Sequence, residues 1–591
     1  MFSKTKTLWA CLAIGLPICT VSAQTTQLRL ADFSNNKGSW SEVGDAWANP
    51  LGAQEIQSSG QGTILVNQPA KKKPGMDLVS NEKFGDAEVT LVYMMAPGSN
   101  SGLYLQGQYE IQLLDSWTTT DPKAGDNGGI YERWDESKPD GQKGYQGYAP
   151  RQNATKAPGT WQELKVLFKA PKFSASGEKI ENARIESVVL NGVLIHEDVE
   201  LFGPTRGALP GGEVAEGPIR IQGDHGPVAI QSLTVKPMDT PAPTFSAITY
   251  EVYPGSFEEM PSASSLTAAN KGTIANFDEF STGLTQESLA KLETKVSIKK
   301  AGNYTFFMSV PNGLGSLQIG SGSAALKGGG IRVEKQLEAG EYPVTIWVSK
   351  PRDWTTEGFS LSVAGDTMWP TEYSNPAGSF QGWPTDPILV DTEQDPVLRS
   401  FIEVPDAPKI SHGISVSSPF GTSYSYDLNS NELIRVWRGG FLDATPMWNS
   451  RGNGVSKPLG AVTELSQGEE LFYNATYAPL ADDLKSKGYE ILGPGALEFK
   501  AVNESGAEFK DRIQVIDSGK GIERSISYSA FPAGTLMKVA PGQELVEMGD
   551  GLYWVKDSGL FLSVGEKVKP VAQNGAIYLP ASSTVTYRLL F

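Results

Sequence analysis

The chain has 591 residues, too many for one ordinary core, with 64 glycines and 38 prolines and only 20% charged residues. That composition excludes a single small domain and a disordered polyampholyte, and describes a turn-rich globular chain of several domains. A formal net charge of −17 excludes nucleic acid as a partner, since its phosphates would be repelled, and is compatible with an uncharged glycan.

The first element, MFSKTKTLWACLAIGLPICTVSAQ, has lysines at 4 and 6, an apolar stretch from Leu8 to Ile18 and a small-residue site at Val21-Ser22-Ala23. It reads as a secretory signal peptide over residues 1–23, cleaved after Ala23, which predicts an exported protein, periplasmic or extracellular. Both cysteines, Cys11 and Cys19, lie inside it, so the mature chain is expected to have no disulfide, no thiol nucleophile and no thiolate metal site. No later stretch approaches the ~20 apolar residues of a membrane-crossing helix.

Beyond the signal, short alternating runs dominate: 88–96, 162–170, 184–201, 229–238, 296–310, 341–350, 551–565 and 583–591. Gly, Pro, Asn and Asp punctuate them, which predicts an all-β protein of sandwich domains. Asn191-Gly192 between β-branched flanks marks a hairpin. Pro-rich segments at 236–245 and 369–387 read as linkers. They divide the mature chain into three β-sandwich domains, 24–238, 245–368 and 388–591.

One run raises a functional question. GLYLQGQYEIQLLDSW (102–117) reads as a strand whose polar side carries Gln106, Gln108, Glu110 and Gln112. Amides are poor strand formers but suit sugar hydroxyls, because each offers both donors and an acceptor. The other reading of the same positions is a solvated outer face, where Lys, Thr and Ser would be the commoner choice. Asp115 and Trp117 follow at the end of the run, and GGIYERWD (128–135) supplies Tyr131, Glu132 and Arg133 in an expected loop. Trp117 and Trp134 suit sugar stacking or plain packing. Arg133 and Arg151 fit either a ligand or a structural ion pair. The chain has three histidines, and His225 sits in an expected exposed Gly-Asp-His-Gly-Pro turn just after Gln222.

The blocks FGDAEVTLVYMMAPGSNSGLYLQGQYEIQLLDSW, GGIYERWD, GYAPRQNATKAPGTWQELKVLFKAPKF, LNGVLIHEDVELFGPT and GPIRIQGDHGPVAIQSLTV resemble, in order and spacing, the 3-keto-disaccharide hydrolase domain family. The resemblance implies a concanavalin-like jelly roll with a concave, sugar-holding sheet. Gln106, Gln108, Glu110 and Gln112 would face the groove, and Leu105, Tyr109, Ile111 and Leu113 the core. It also implies an unusual reaction: a sugar already oxidised at C3 loses its C2 proton to a base, and the C1 substituent leaves by elimination before water adds. Such chemistry needs a base, a group for the enolate oxygen and an acid for the leaving oxygen. Glu110 and His225 are the catalytic candidates. Gln106, Gln108, Gln112, Asp115, Trp117, Tyr131, Arg133 and Gln222 are the substrate-binding ones. A divalent metal would polarise the ketone, but no tight ligand spacing marks a site for one. The carboxylate pair of ordinary glycoside hydrolysis is not evident.

ITYEVYPGSFEEMPS, KAGNYTFFMSVPNGLGSLQIGSG and EKQLEAGEYPVTIWVSK resemble the anthrax protective-antigen type of β-sandwich. The aspartate pair that binds calcium in lectin-like members is replaced by VPNGLGS. In the last domain, Trp437, Arg438, Phe441, Asp443, Trp448 and Arg451 form a dense group fit for a sugar, a partner or a stiffened core. The expected function is cleavage of 3-keto-glycosides, with a periplasmic sugar 3-oxidase as the supplying partner. The alternatives are a non-catalytic glycan-binding protein and a scaffold for such an oxidase.

Overall fold

The computed structural model describes residues 25–591 except 35–37, 263–264, 283–286, 323–324, 353–357, 375–385, 391, 394–395, 450–453 and 481–482. The signal segment with Cys11 and Cys19, much of the second linker, and Arg451 lie outside the described residues. Among the described residues no helix is long and apolar enough to cross a membrane.

The protein is all-β, built from antiparallel sheets. The alternating runs read from the sequence become strands such as Ala87–Met95, Gln162–Lys169, Ala183–Leu190 with Val193–Leu201, and Thr584–Leu590. Asn191 and Gly192 both adopt positive φ (51° and 81°), as a two-residue hairpin requires. The middle linker reading needs one correction: Met368–Ser374 is the edge strand of the middle module's sheet, so structure continues past residue 368.

The chain falls into two compact units, Met238–Trp383 in one, and Thr26–Pro237 with Pro384–Phe591 in the other. The middle unit wraps a nine-stranded network around its own core, with Phe306, Ile346 and Leu361 fully buried.

In the other unit, residues 26–237 form two facing sheets. The large sheet has eight strands, running Val193–Leu201, Ala183–Leu190, Gln162–Lys169, Ala87–Met95, Val228–Pro237, Gln57–Asn67 and Trp40–Trp47, with Thr26–Gln27 added to Val228–Pro237. The small sheet runs Leu78–Phe84, Gly217–Ile221, Asn100–Leu105 and Tyr109–Leu114. Alternation fixes which side chains fill the gap between them. Leu65, Ile230 and Tyr93 lie in one cross-strand line of the large sheet and join Leu103, Leu105, Tyr109, Ile111 and Leu113 of the small sheet in one core.

The neighbouring cross-strand line, Val66, Ala229 and Met94, points out of the opposite face of the large sheet. That face is apolar, and the C-terminal residues cover it. Val43, Val66, Met94 and Trp117 share a buried cluster with Ile516, Leu552, Trp554, Phe561 and Leu590. Polar ties frame the cluster. The Trp117 indole donates to the Phe591 carbonyl at 2.7 Å, Lys556 pairs with Asp45 at 2.8 Å, and the Gln152 amide donates to the Leu459 carbonyl at 2.6 Å. The first and last segments, read from the sequence as separate domains, thus fold as one body.

The C-terminal half of this body holds five-, eight- and four-stranded sheets around a common core. A fully buried ion pair, Arg524 with Asp511 at 2.6 Å, lies within it and is braced by the Tyr587 hydroxyl. Trp437 and Phe441 stack with ring centroids 6.0 Å apart inside the fold, and Arg438 is buried with them.

The shared cluster has a measurable consequence. Trp554→Ala is expected to lower the stability of this body by about 3–5 kcal/mol, the usual cost of deleting a buried tryptophan. A fragment of residues 24–238 is expected to expose Val43, Val66, Met94 and Trp117 and to aggregate. Denaturant unfolding of the variant and light scattering of the fragment check both.

Candidate active site

The run 102–117 is a hairpin, not one strand. Gln106 and Gly107 both have positive φ (54° and 66°), and the Gln108 N–H closes the turn on the Leu105 carbonyl at 2.9 Å. Two central residues with positive φ make the turn whose twist matches the strands. Gln-Gly is a weaker signal for it than Asn-Gly, which is why the alternation ran through unbroken.

The hairpin splits the expected row of amides. Gln106 and Gln108 sit at the tip as braces. The Gln106 amide donates to the Phe84 and Ala215 carbonyls at 3.1 and 3.0 Å, and the Gln108 amide to the Leu209 carbonyl at 3.0 Å. Glu110 and Gln112 lie on the far strand, directly opposite Tyr104 and Gly102. All four share the face turned away from the core. Arg220, opposite Tyr104 on the adjoining strand, lies on the same face, and Gln222 follows two residues on. Residues 128–131 extend the sheet past Glu110: Ile130 bridges Ile111 on the core side, and the Tyr131 N–H donates to the Glu110 carbonyl at 3.0 Å. Tyr131 therefore alternates onto the polar side.

Glu110 is the centre of this face. It is only 3% exposed. Its carboxylate lies over Gly102, where any Cβ would come within 2.2 Å of Oε1, so the glycine makes the space. The Tyr104 hydroxyl donates to Oε2 at 2.7 Å. Burial pushes the carboxyl up to about 7, against the opposing pull of the Tyr104 hydrogen bond, Arg220 and His225. Burial, reinforced by the Glu110 charge, holds the Tyr104 phenol well above its usual range. The Arg220 guanidinium stacks on the Tyr104 ring, 4.4 Å from its centroid, and pairs with Asp77.

Asp77 joins two parts of the site. One carboxylate oxygen accepts from Arg220 Nε at 2.7 Å, and the other from the Gly223 N–H at 2.9 Å. The Asn67 amide holds the same turn from below, donating to the Gly223 carbonyl at 2.8 Å and the Gly226 carbonyl at 3.1 Å. The turn is moored at both ends, yet the His225 side chain at its tip is 52% exposed, with Nδ1 against Asp224 at 2.5 Å. Gln112 donates to Asn100 at 2.8 Å, and its buried Oε1 has no partner among the described residues.

Three further expected contacts fall elsewhere. Asp115 caps a turn, accepting from the Gly98 N–H at 2.8 Å. Trp117 belongs to the buried cluster with the C-terminal half, so its faces are closed to a sugar. Arg133 donates to Gln146 at 2.8 Å and packs on Tyr145 and Gly203. Tyr104, Arg220 and Asp77 are the site residues that sequence reasoning missed. Arg220 alternates with Gln222 in GPIRIQG, a signal that was present. Tyr104 emerges opposite Glu110 only once the turn is placed. His196 is buried with Nε2 2.9 Å from the Gly128 carbonyl, and burial lowers it to about 4. Among the described residues no group of three or more His, Cys, Asp or Glu side chains stands ready to hold a metal ion.

Residues 30–236 match the family described as a 3-keto-alpha-glucoside-1,2-lyase-like domain. The match does not reach the middle module, so the protective-antigen resemblance gains no support from it. No curated protein matches the chain. Similar solved structures include a "putative glycosyl hydrolase" from Parabacteroides distasonis at 23% identity, covering 36% of this chain and 83% of that one with a TM-score of 0.25. A second from the same organism has 16% identity, covers 36% and 98%, and has a TM-score of 0.22. An anti-sigma factor domain-containing protein has 11% identity, covers 56% and 88%, and has a TM-score of 0.17. Overlaps this low carry no argument; the family match over residues 30–236 supports a carbohydrate-active N-terminal domain.

The buried carboxyl predicts a stability signature. The unfolded chain ionises Glu110 near 4.5 whereas the folded chain keeps it protonated until about 7. Its contribution is therefore intact below pH 4.5 and lost as pH rises through 7. Glu110→Gln is expected to match the wild type in stability at pH 4 and to exceed it at pH 8, by up to about 3 kcal/mol. Melting curves across pH 4–8 check the sign.

Proposed function

Because residues 30–236 match the 3-keto-alpha-glucoside-1,2-lyase-like family, we propose that the protein is an exported enzyme that cleaves the glycosidic bond of 3-keto-glycosides. The observation that carries the reading is the buried Glu110 carboxyl, pushed up to about 7 on the polar face of the small sheet. A base poised near the working pH gives the best combination of correct protonation state and proton affinity.

In the proposed reaction the 3-keto sugar lies across Tyr104, Gln112 and Gln222. Glu110 takes the C2 proton, and the C2–H electrons flow into the ketone to give an enolate. Arg220 supplies the positive field beside it. The enolate then collapses: the C3 carbonyl re-forms, a C1=C2 double bond appears, and the C1–O bond breaks. His225, exposed on its moored turn, delivers a proton to the departing oxygen. Water adding at C1 completes net hydrolysis; release before that step gives lyase chemistry. The substrate must come from a prior oxidation at C3, which assigns a sugar 3-oxidase as supplier.

The test uses a 3-keto-glucoside with a chromogenic leaving group. Glu110→Gln should lower kcat by about 10²–10⁴-fold, the contribution of a general base. Substrate deuterated at C2 should react several-fold more slowly in the wild type. The rate should rise with pH through about 7 as Glu110 ionises. His225→Ala should lower kcat far more than it raises KM. Near-wild-type rates in both variants would remove the assignment, and retained sugar binding without turnover would make the domain a glycan binder.

A further inference from the structure

The structure sorts the Trp- and Arg-rich segment of the C-terminal half. Trp437, Arg438 and Phe441 are buried, and Asp443 caps the next turn by accepting from the Thr445 N–H at 2.8 Å. Trp448 alone among its described aromatics is left out, 52% exposed at the end of the one-turn helix Thr445–Trp448. It lines a hollow of about 400 Å³ with Phe401, Met447, Leu428, Ser411 and His412.

The hollow's chemistry is specific. Its walls are mostly apolar, and none of the described residues lining it carries a carboxylate. Ser411 and His412 stand at the rim, hydrogen-bonded to each other at 3.0 Å. Arg399, also at the rim, has its guanidinium 5.4 Å from the Tyr489 ring centroid. Gly413 contributes no side chain to the floor, and a Cβ there would strike Ile402 at 2.4 Å. An aromatic platform with hydroxyl and imidazole groups at one edge suits a pyranose, whose C–H face is apolar and whose rim is hydroxylated.

We propose that this hollow is a second carbohydrate site, taking one or two rings of a neutral oligosaccharide, separate from the Glu110 site. It rests on the reading above only for the class of ligand. Its role is to hold glycan near the enzyme, so that occupancy of one site raises the local concentration of sugar for the other.

The experiment titrates the full chain with cellohexaose, laminarihexaose and maltohexaose by calorimetry. At least one is expected to bind. Trp448→Ala should weaken that binding at least ten-fold, and Trp448→Phe should retain most of it. Cleavage of the small 3-keto-glucoside should be unchanged in both variants, which separates this site from the catalytic one. Failure of that cleavage in the wild type, with Trp448-dependent binding intact, would remove the proposed function and leave this site standing. Three results overturn the site: no hexasaccharide binds, Trp448→Ala binds like the wild type, or the wild type self-associates through Trp448, which would give the hollow to a second copy. Circular dichroism and melting curves identify a misfolded Trp448→Ala, in which case Trp448→Phe and a Phe401→Ala variant decide the question.

Discussion

The apolar outer face of the large sheet governs how this protein is put together. A two-sheet jelly roll ordinarily buries the faces between its sheets and leaves the outer ones to water. Here the line Val66, Ala229 and Met94 cannot face water without exposing a continuous apolar patch. Trp554, Phe561 and Leu590, from the opposite end of the chain, close it. The middle unit is thereby an insertion in a body whose two parts are far apart in sequence. Trp117 seals the arrangement: its ring fills the shared cluster, and its one N–H is satisfied by the Phe591 carbonyl.

On the small sheet a different constraint operates. Glu110 is buried on a polar face, with no cation among the described residues bonded directly to it, and burial outweighs the hydrogen bond and the nearby charges. A carboxyl in that state can hold or release a proton near neutrality, which an exposed glutamate cannot do efficiently. The surrounding groups hold it there. Gly102 gives room, Tyr104 fixes one oxygen, and Asp77 ties Arg220 to the turn that carries His225. Asp77 thus couples the rigid sheet to the most exposed group of the site, through two bonds from one carboxylate.

Much of this was legible in advance. Period-two alternation marked the strands, and the parity that sends Leu105, Tyr109, Ile111 and Leu113 inward held across the hairpin. The register pairs Leu105 with Tyr109 across three intervening residues, and an odd number preserves the alternation, so the core face survived the misreading of 102–117 as one strand. The polar face did not survive it intact: Gln106 and Gln108 moved to the tip, and Tyr104 came to lie directly opposite Glu110, a pairing that only the turn creates.

The sequence by itself determined the all-β class, the inward residues of the hairpin 102–114 and the blocks that match the family model over residues 30–236, and it put Glu110 and His225 forward as candidates. These follow from local periodicity, turn chemistry and residue type, which act over a few positions. Tertiary structure decided what each polar or aromatic group is for. Trp117 became a domain seal, Asp115 a turn cap, Arg133 a loop staple and Trp448 an exposed platform. A side chain's role depends on which distant surface meets it, and contacts such as Trp117 to Phe591 span nearly the whole chain, beyond the reach of any local pattern.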